Sequence, residues 1–206
     1  MNIQPRHIPL SARPAPAGFT LIELMVVIAI IAVLAAISIG GFGYATKNAN
    51  RNETRARLEF IRTSLESYYH EYGEYPAVLR NQGATTTISG VQFEYGPAAA
   101  LYQAISGDGD DHIVQGGTPS NGEFTAEEAR RGIAELNPSA YREFATNVFS
   151  MVDGFGQPFL YVRYDPNNPD STRNPTYDLW SVADADTPGQ TSDAGTNDDP
   201  SWIKNW

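Results

Sequence analysis

The chain contains no cysteine. Disulfides and thiolate metal centres are therefore excluded, and any long loop has to be held by other means. Histidine is almost as scarce, at three residues, and His7 lies ahead of Gly18. No Gly-x-Ser-x-Gly, His-Glu-x-x-His or phosphate-binding loop occurs, so nothing points to nucleophilic, metal-assisted or nucleotide chemistry. An enzyme is not expected. Bases are also few, with 14 Lys and Arg against 24 Asp and Glu. Only Arg6 and Arg13 precede Gly18, and no acid does, so 12 bases face 24 acids beyond it, a net of −12. That acidity argues against a nucleic-acid surface, which needs a basic footprint. It suits an exported soluble domain or a cation site. The last absence is charge itself. From Leu24 to Thr46 there is no Asp, Glu, Lys or Arg. About 20 apolar residues in a helix cross a bilayer, so the run suffices. Glu23 stands at its edge. A carboxylate in lipid costs about 2.5–3.5 kcal/mol or more, which makes Glu23 a functional candidate.

The helical pattern continues from about Thr20 through Tyr72. Beyond Thr46 it becomes amphipathic, with Leu58, Ile61, Leu65 and Tyr68 or Tyr69 at three- and four-residue steps. Glu59 and Arg62, then Arg62 and Glu66, stand at helical pair spacings. Such a helix would be a rod of roughly 80 Å. Gly40, Gly41 and Gly43 fall at the edge of the apolar half, where they suit either a bend or close packing of neighbouring rods. Gly73 and Pro76 end the pattern. Lys47, Arg51, Arg55 and Arg57 follow the apolar run, with only Glu53 among them, so local charge leaves the membrane orientation open.

Residues 80–122 are rich in Gly, Thr, Ser and Asp, with a short helix expected at 97–105. A second helix is expected at 125–136, with Thr125 as its cap. Gly107-Asp108-Gly109-Asp110-Asp111 reads as a turn, because it lacks the glutamate and spacing of an EF-hand. Phe159–Tyr164 and Tyr177–Val182 read as antiparallel strands flanking the loop 165–170. The fold class expected is α+β: a long N-terminal helix, half transmembrane and half amphipathic, packed on a small antiparallel sheet.

Gly18-Phe19-Thr20-Leu21-Ile22-Glu23, followed by Leu-Met-Val-Val-Ile-Ala-Ile-Ile, resembles the N-terminus of type IV pilins and type II secretion pseudopilins. The resemblance implies cleavage after Gly18 by a prepilin peptidase and N-methylation of Phe19 by the same peptidase/methyltransferase. It also implies a role for Glu23 in filament assembly, paired with the Phe19 amine of a neighbouring subunit. The layout would be a leader at 1–18, a transmembrane helix half at 19–46 and a pilin-like head at 47–206, with an insertion at about 80–150. An ordinary secretory signal carries its apolar stretch ahead of the cut; here it follows Gly18. The basic leader favours a cytoplasmic start. The resemblance thus implies a single-pass inner-membrane protein with a periplasmic head.

Within the head, Val152-Asp153-Gly154-Phe155-Gly156-Gln157-Pro158-Phe159-Leu160-Tyr161, Tyr177-Asp178-Leu179-Trp180-Ser181 and the close Ile203-Lys204-Asn205-Trp206 resemble segments of G-type major pseudopilins. That implies a calcium site in the C-terminal loop, with Ser181, Asp184, Asp186, Asp198 and Asp199 as candidates. Where that family has Gly-x-Asp-Gly, this chain has Ala183-Asp184-Ala185-Asp186, so either aspartate suits the ligand position. Calcium takes six to eight hard oxygens, and the clustered aspartates would repel one another without a cation. The alternative for this stretch is a solvated acidic tail. The implied function is a structural subunit of a type II secretion pseudopilus, a homo-oligomeric filament working with other pseudopilins and inner-membrane secretion components. The alternatives are a type IV pilin for adhesion, motility or DNA uptake, and a stand-alone membrane-anchored binding module.

Overall fold

A computed structural model describes residues 18–80, 82–184 and 199–206. Two compact units divide between Tyr44 and Ala45. Helix α1 is Leu21–Tyr72, as its periodicity predicts. In the first unit the described side chains of α1 up to Ile37 are all exposed, among them Leu21, Ile22 and Leu34. Among the described residues no helix is long and apolar enough to cross a membrane. In the first unit the continuous stretch of described α1 side chains ends at Ile37, short of the roughly 20 apolar residues that a span requires. The expected transmembrane half 19–46 therefore rests on the sequence run.

The second unit is built on the amphipathic stretch of α1. Leu58, Ile61, Leu65 and Tyr68 are buried, whereas Tyr69 is exposed. Gly73, at φ +77°, donates its N–H to the Tyr69 carbonyl at 2.8 Å, the left-handed close that glycine permits. Strands β1 (Thr85–Ile88) and β2 (Val91–Glu94) form a hairpin. Helix α2 (Gly96–Ser106) is buried at every residue, as expected of a helix apolar all round.

Helix α3 is only Glu128–Arg131, shorter than the expected 125–136. It begins three residues later than expected, although Thr125 still engages its first turn, in a reciprocal exchange of hydrogen bonds with Glu128. Its end is set by packing. Gly132 is extended, and the Ile133 and Ala134 N–H groups both donate to the Ile105 carbonyl at the end of α2. That contact competes with continued helix.

Strands β3 (Tyr141–Ala145) and β4 (Val148–Met151) form a second hairpin, with a bulge between Glu143 and Ala145. The main sheet is antiparallel, in the order β5 (Leu160–Arg163), β6 (Tyr177–Ser181), β7 (Ile203–Lys204). Its residues alternate between two cores. Tyr161, Tyr177 and Leu179 join the α1 and α2 side. Leu160, Trp180 and Val182 pack with Phe93 of β2 and with Trp202. Both faces are covered, which explains why β6 is buried along its whole length. The long helix with small antiparallel sheets is the α+β architecture expected. Within the range 80–150, Phe93 joins one core and Ala98, Leu101, Tyr102 and Ile105 join the other.

Candidate functional site

Gly18 and Phe19 lie exposed ahead of α1, Phe19 at 84%. A Cβ added at Gly18 would meet nothing within 4 Å among the described residues. Packing among the described residues does not require glycine there. Glu23 is engaged locally. Its Oε2 accepts from the Thr20 N–H and the Thr20 hydroxyl, both at 2.8 Å, while the Glu23 N–H donates to Thr20 Oγ1 at 3.3 Å. This is a capping box for α1, readable in the sequence as Thr-x-x-Glu. The sequence reading weighed Glu23 only for assembly and missed this second role.

The other candidates surround the end of β6. Ser181 is buried, and its hydroxyl donates to Asp153 Oδ2 at 2.5 Å and accepts from the Ala183 N–H at 2.8 Å. Ala183 adopts φ +54°. It occupies a left-handed conformation that glycine takes without the cost of a Cβ, of order 1–2 kcal/mol. Asp184 pairs with Lys47 Nζ at 2.8 Å and with the Arg51 guanidinium. These cations hold its carboxyl below the usual carboxylate range, the Lys47 hydrogen bond being the largest cause. The other arm of Arg51 donates to the Ser201 carbonyl at 2.8 Å. Asp199 Oδ1 accepts from the Ser201 N–H at 2.8 Å, and this turn lowers its pKa. Asp186 and Asp198 lie outside the described residues.

Tested against calcium, two of the described candidates, Ser181 and Asp184, are already engaged. The Asp184 carboxylate already faces two cations, and the Ser181 hydroxyl is committed to Asp153. Like charges about 4 Å apart repel by about 4 kcal/mol at an effective dielectric of 20, so a divalent ion on Asp184 would have to displace Arg51 or Lys47. Among the described residues no group of His, Cys, Asp and Glu is arranged to hold a metal.

Sequence reasoning also missed the rest of this contact. Lys47, Arg51, Thr54 and Arg57 recur at helical spacing on α1. Thr54 Oγ1 accepts from the Gly154 N–H at 3.0 Å. Arg57 donates to the Val152 and Asp153 carbonyls at 2.8 and 2.9 Å. Asp153 is buried and caps the turn, accepting from the Phe155 and Gln157 N–H groups. Burial raises its pKa to about 6, against the hydrogen bonds from Ser181, Gln157 and Phe155. The signal was present as a basic cluster beside an Asp-Gly turn, but nothing local joins positions a hundred residues apart. Asn205 was likewise unassigned. Its backbone N–H donates to the Leu179 carbonyl at 3.1 Å, its side-chain oxygen accepts from the Leu179 N–H at 2.8 Å, and its amide donates to the Tyr177 carbonyl at 3.2 Å. The terminal Trp206 ring packs edge-on to Trp180. The Asn-Trp ending thus seals the sheet edge beyond β7.

The acidic turn at 107–111 is structural. Asp108 accepts from the Tyr102 hydroxyl and from the N–H groups of Asn121 and Gly122. Asp110 accepts from the Thr118 N–H.

Comparison with known proteins gives matches at both ends of this description. A family model described as the prokaryotic N-terminal methylation motif matches residues 13–39. The chain is 30% identical over 141 residues to the fimbrial protein EcpC of Eikenella corrodens, covering 63% of this chain and 92% of that protein. It is 36% identical over 111 residues to the type IV wide pilus major component PilA4 of Thermus thermophilus, covering 52% of this chain and 85% of that protein. To the type IV major pilin protein PilE1 of Neisseria gonorrhoeae it is 33% identical, over 38% of this chain and 47% of that protein. The chain thus spans less than half the length of that relative. No solved structure gives a significant match.

Proposed function

Because the chain belongs to the type IV pilin family, we propose that it is a membrane-anchored filament subunit, cleaved between Gly18 and Phe19 and methylated at Phe19. The carrying observation is the exposed apolar face of α1 from Leu21 to Ile37, headed by a glycine that packing among the described residues does not require. A glycine unneeded for that packing suits recognition by an outside partner, here a prepilin peptidase. Exposed apolar helices gain by burial in lipid or against one another. In the membrane the unassembled subunit keeps Glu23 on Thr20. On assembly the Phe19 amine of a neighbour supplies the cation that a carboxylate in low dielectric calls for. The head would lie in the periplasm, with the anchor in the inner membrane.

The mature N-terminus and the filament test this reading together. Mass spectrometry of the membrane-extracted protein is expected to begin at N-methylated Phe19. Glu23→Gln, which keeps an oxygen for Thr20 but loses the charge, is expected to abolish incorporation into filaments. A mature chain that retains residues 1–18, or normal incorporation of Glu23→Gln, would overturn it.

Two kinds of filament fit. The relatives are pilus components by name, which supports a type IV pilus subunit. A second reading, the type II secretion pseudopilin, is favoured by the cysteine-free C-terminal close, in which β7, Asn205 and Trp206 complete the sheet. Deletion of the gene separates them. Loss of surface filaments with secretion intact supports the pilus, and loss of protein secretion supports the pseudopilus.

A further inference from the structure

We infer that Arg51 itself closes the base of the C-terminal loop, so that a guanidinium from α1 stands where the resemblance to G-type pseudopilins places a calcium ion. Asp184 and Ser201 lie on either side of residues 185–198 in the chain. One arm of the Arg51 fork binds the Asp184 carboxylate and the other donates to the Ser201 carbonyl at 2.8 Å. A single side chain therefore ties the chain leaving β6 to the chain approaching β7. A planar fork with fixed donors is suited to bridging two acceptors, which an ammonium does less well. The Arg51 and Asp184 side chains are each only 22% exposed, so salt screens their pair weakly. Lys47 adds a second cation on the same carboxylate but is 59% exposed, and contributes less.

The arrangement answers two needs. It supplies the positive charge that an acidic C-terminal segment requires. It also supplies the cross-link that a chain without cysteine cannot make covalently. It does so without drawing on an external ion, so closure does not vary with calcium concentration. Arg51 is fixed by the same face of α1 that holds the 153–157 turn through Thr54 and Arg57. The clasp is thereby registered to the rest of the head.

The test uses the full chain in detergent, followed by thermal unfolding in millimolar calcium and in chelator. The wild-type midpoint is expected to be the same in both. Arg51→Gln and Asp184→Asn are each expected to lower the midpoint by about 3–6 °C. The double variant is expected to fall by less than the sum of the two singles, since both remove the Arg51–Asp184 pair while each also removes a contact of its own, Arg51 to the Ser201 carbonyl and Asp184 to Lys47. Arg51→Lys, which keeps the charge and loses the fork, should fall between wild type and Arg51→Gln, and it serves alone if Arg51→Gln cannot be recovered folded. A calcium-dependent rise of the wild-type midpoint would overturn the inference. So would an Arg51→Lys midpoint equal to wild type, or additive single effects.

Discussion

Asp153 makes a pH dependence visible at a single residue. Its carboxyl is buried among the Ser181 hydroxyl and the Phe155 and Gln157 N–H groups, with a pKa raised to about 6. In the unfolded chain an aspartate titrates near 3.9. The folded state thus holds the proton more tightly. The associated stability is fully present below about pH 4, declines as pH rises toward 6, and is lost above that. Two units of difference correspond to about 3 kcal/mol. Asp153→Asn removes the titration and keeps an oxygen for the turn N–H groups. Urea unfolding between pH 4 and 7 is expected to show the variant gaining on wild type as pH rises. Parallel curves for the two proteins would contradict the assignment. None of this could be read from sequence. Asp153-Gly154 announces a turn, but the burial that shifts the acid comes from α1 and β6, distant in the chain.

Among the elements, α1 carries two messages on successive turns. Its apolar stripe of Leu58, Ile61, Leu65 and Tyr68 was legible, because periodicity is a local property. Its basic cluster was seen only as an ambiguity in membrane orientation. The structure engages Lys47, Arg51 and Arg57 with the head, so three of the four bases serve tertiary contacts. The β5–β6 pair was legible for the same local reason, from aromatic and β-branched runs either side of a loop. The end of α3 was not, because Ile105 competes for the N–H groups of Ile133 and Ala134. The aspartate pattern likewise does not reveal that Lys47 and Arg51 face Asp184. The closeness of α1 to the 153–157 turn gives a sharp test. A Cβ at Gly154 would lie 2.3 Å from the Asn50 carbonyl oxygen, a helix backbone atom that cannot yield cheaply. Gly154→Ala is expected to push the turn off Thr54 and cost about 1–3 kcal/mol. Thermal unfolding would register a fall of a few degrees, and an unchanged midpoint would show that the turn can withdraw freely.

For the molecule as a whole, the division at Tyr44 and Ala45 separates two kinds of stability. The unit from Ala45 owns a continuous core of α1, α2 and the main sheet, together with a second cluster around Trp180. Among the described residues, none of the buried hydrophobic side chains lies before Leu58. The unit before it shows exposed apolar side chains along its described helix, which on the proposed function would be buried in lipid or against other copies. Folding and assembly are therefore expected to be separable. Residues 45–206 expressed alone should unfold cooperatively, with a midpoint within about 3 °C of the full chain in detergent, a difference below roughly 1.5 kcal/mol. The same fragment should stay monodisperse in sedimentation without detergent, whereas the full chain should not. A fragment that lacks a cooperative transition would mean that residues before Ala45 support the head directly. A fragment that self-associates would place an assembly contact on the head as well as on the apolar helix.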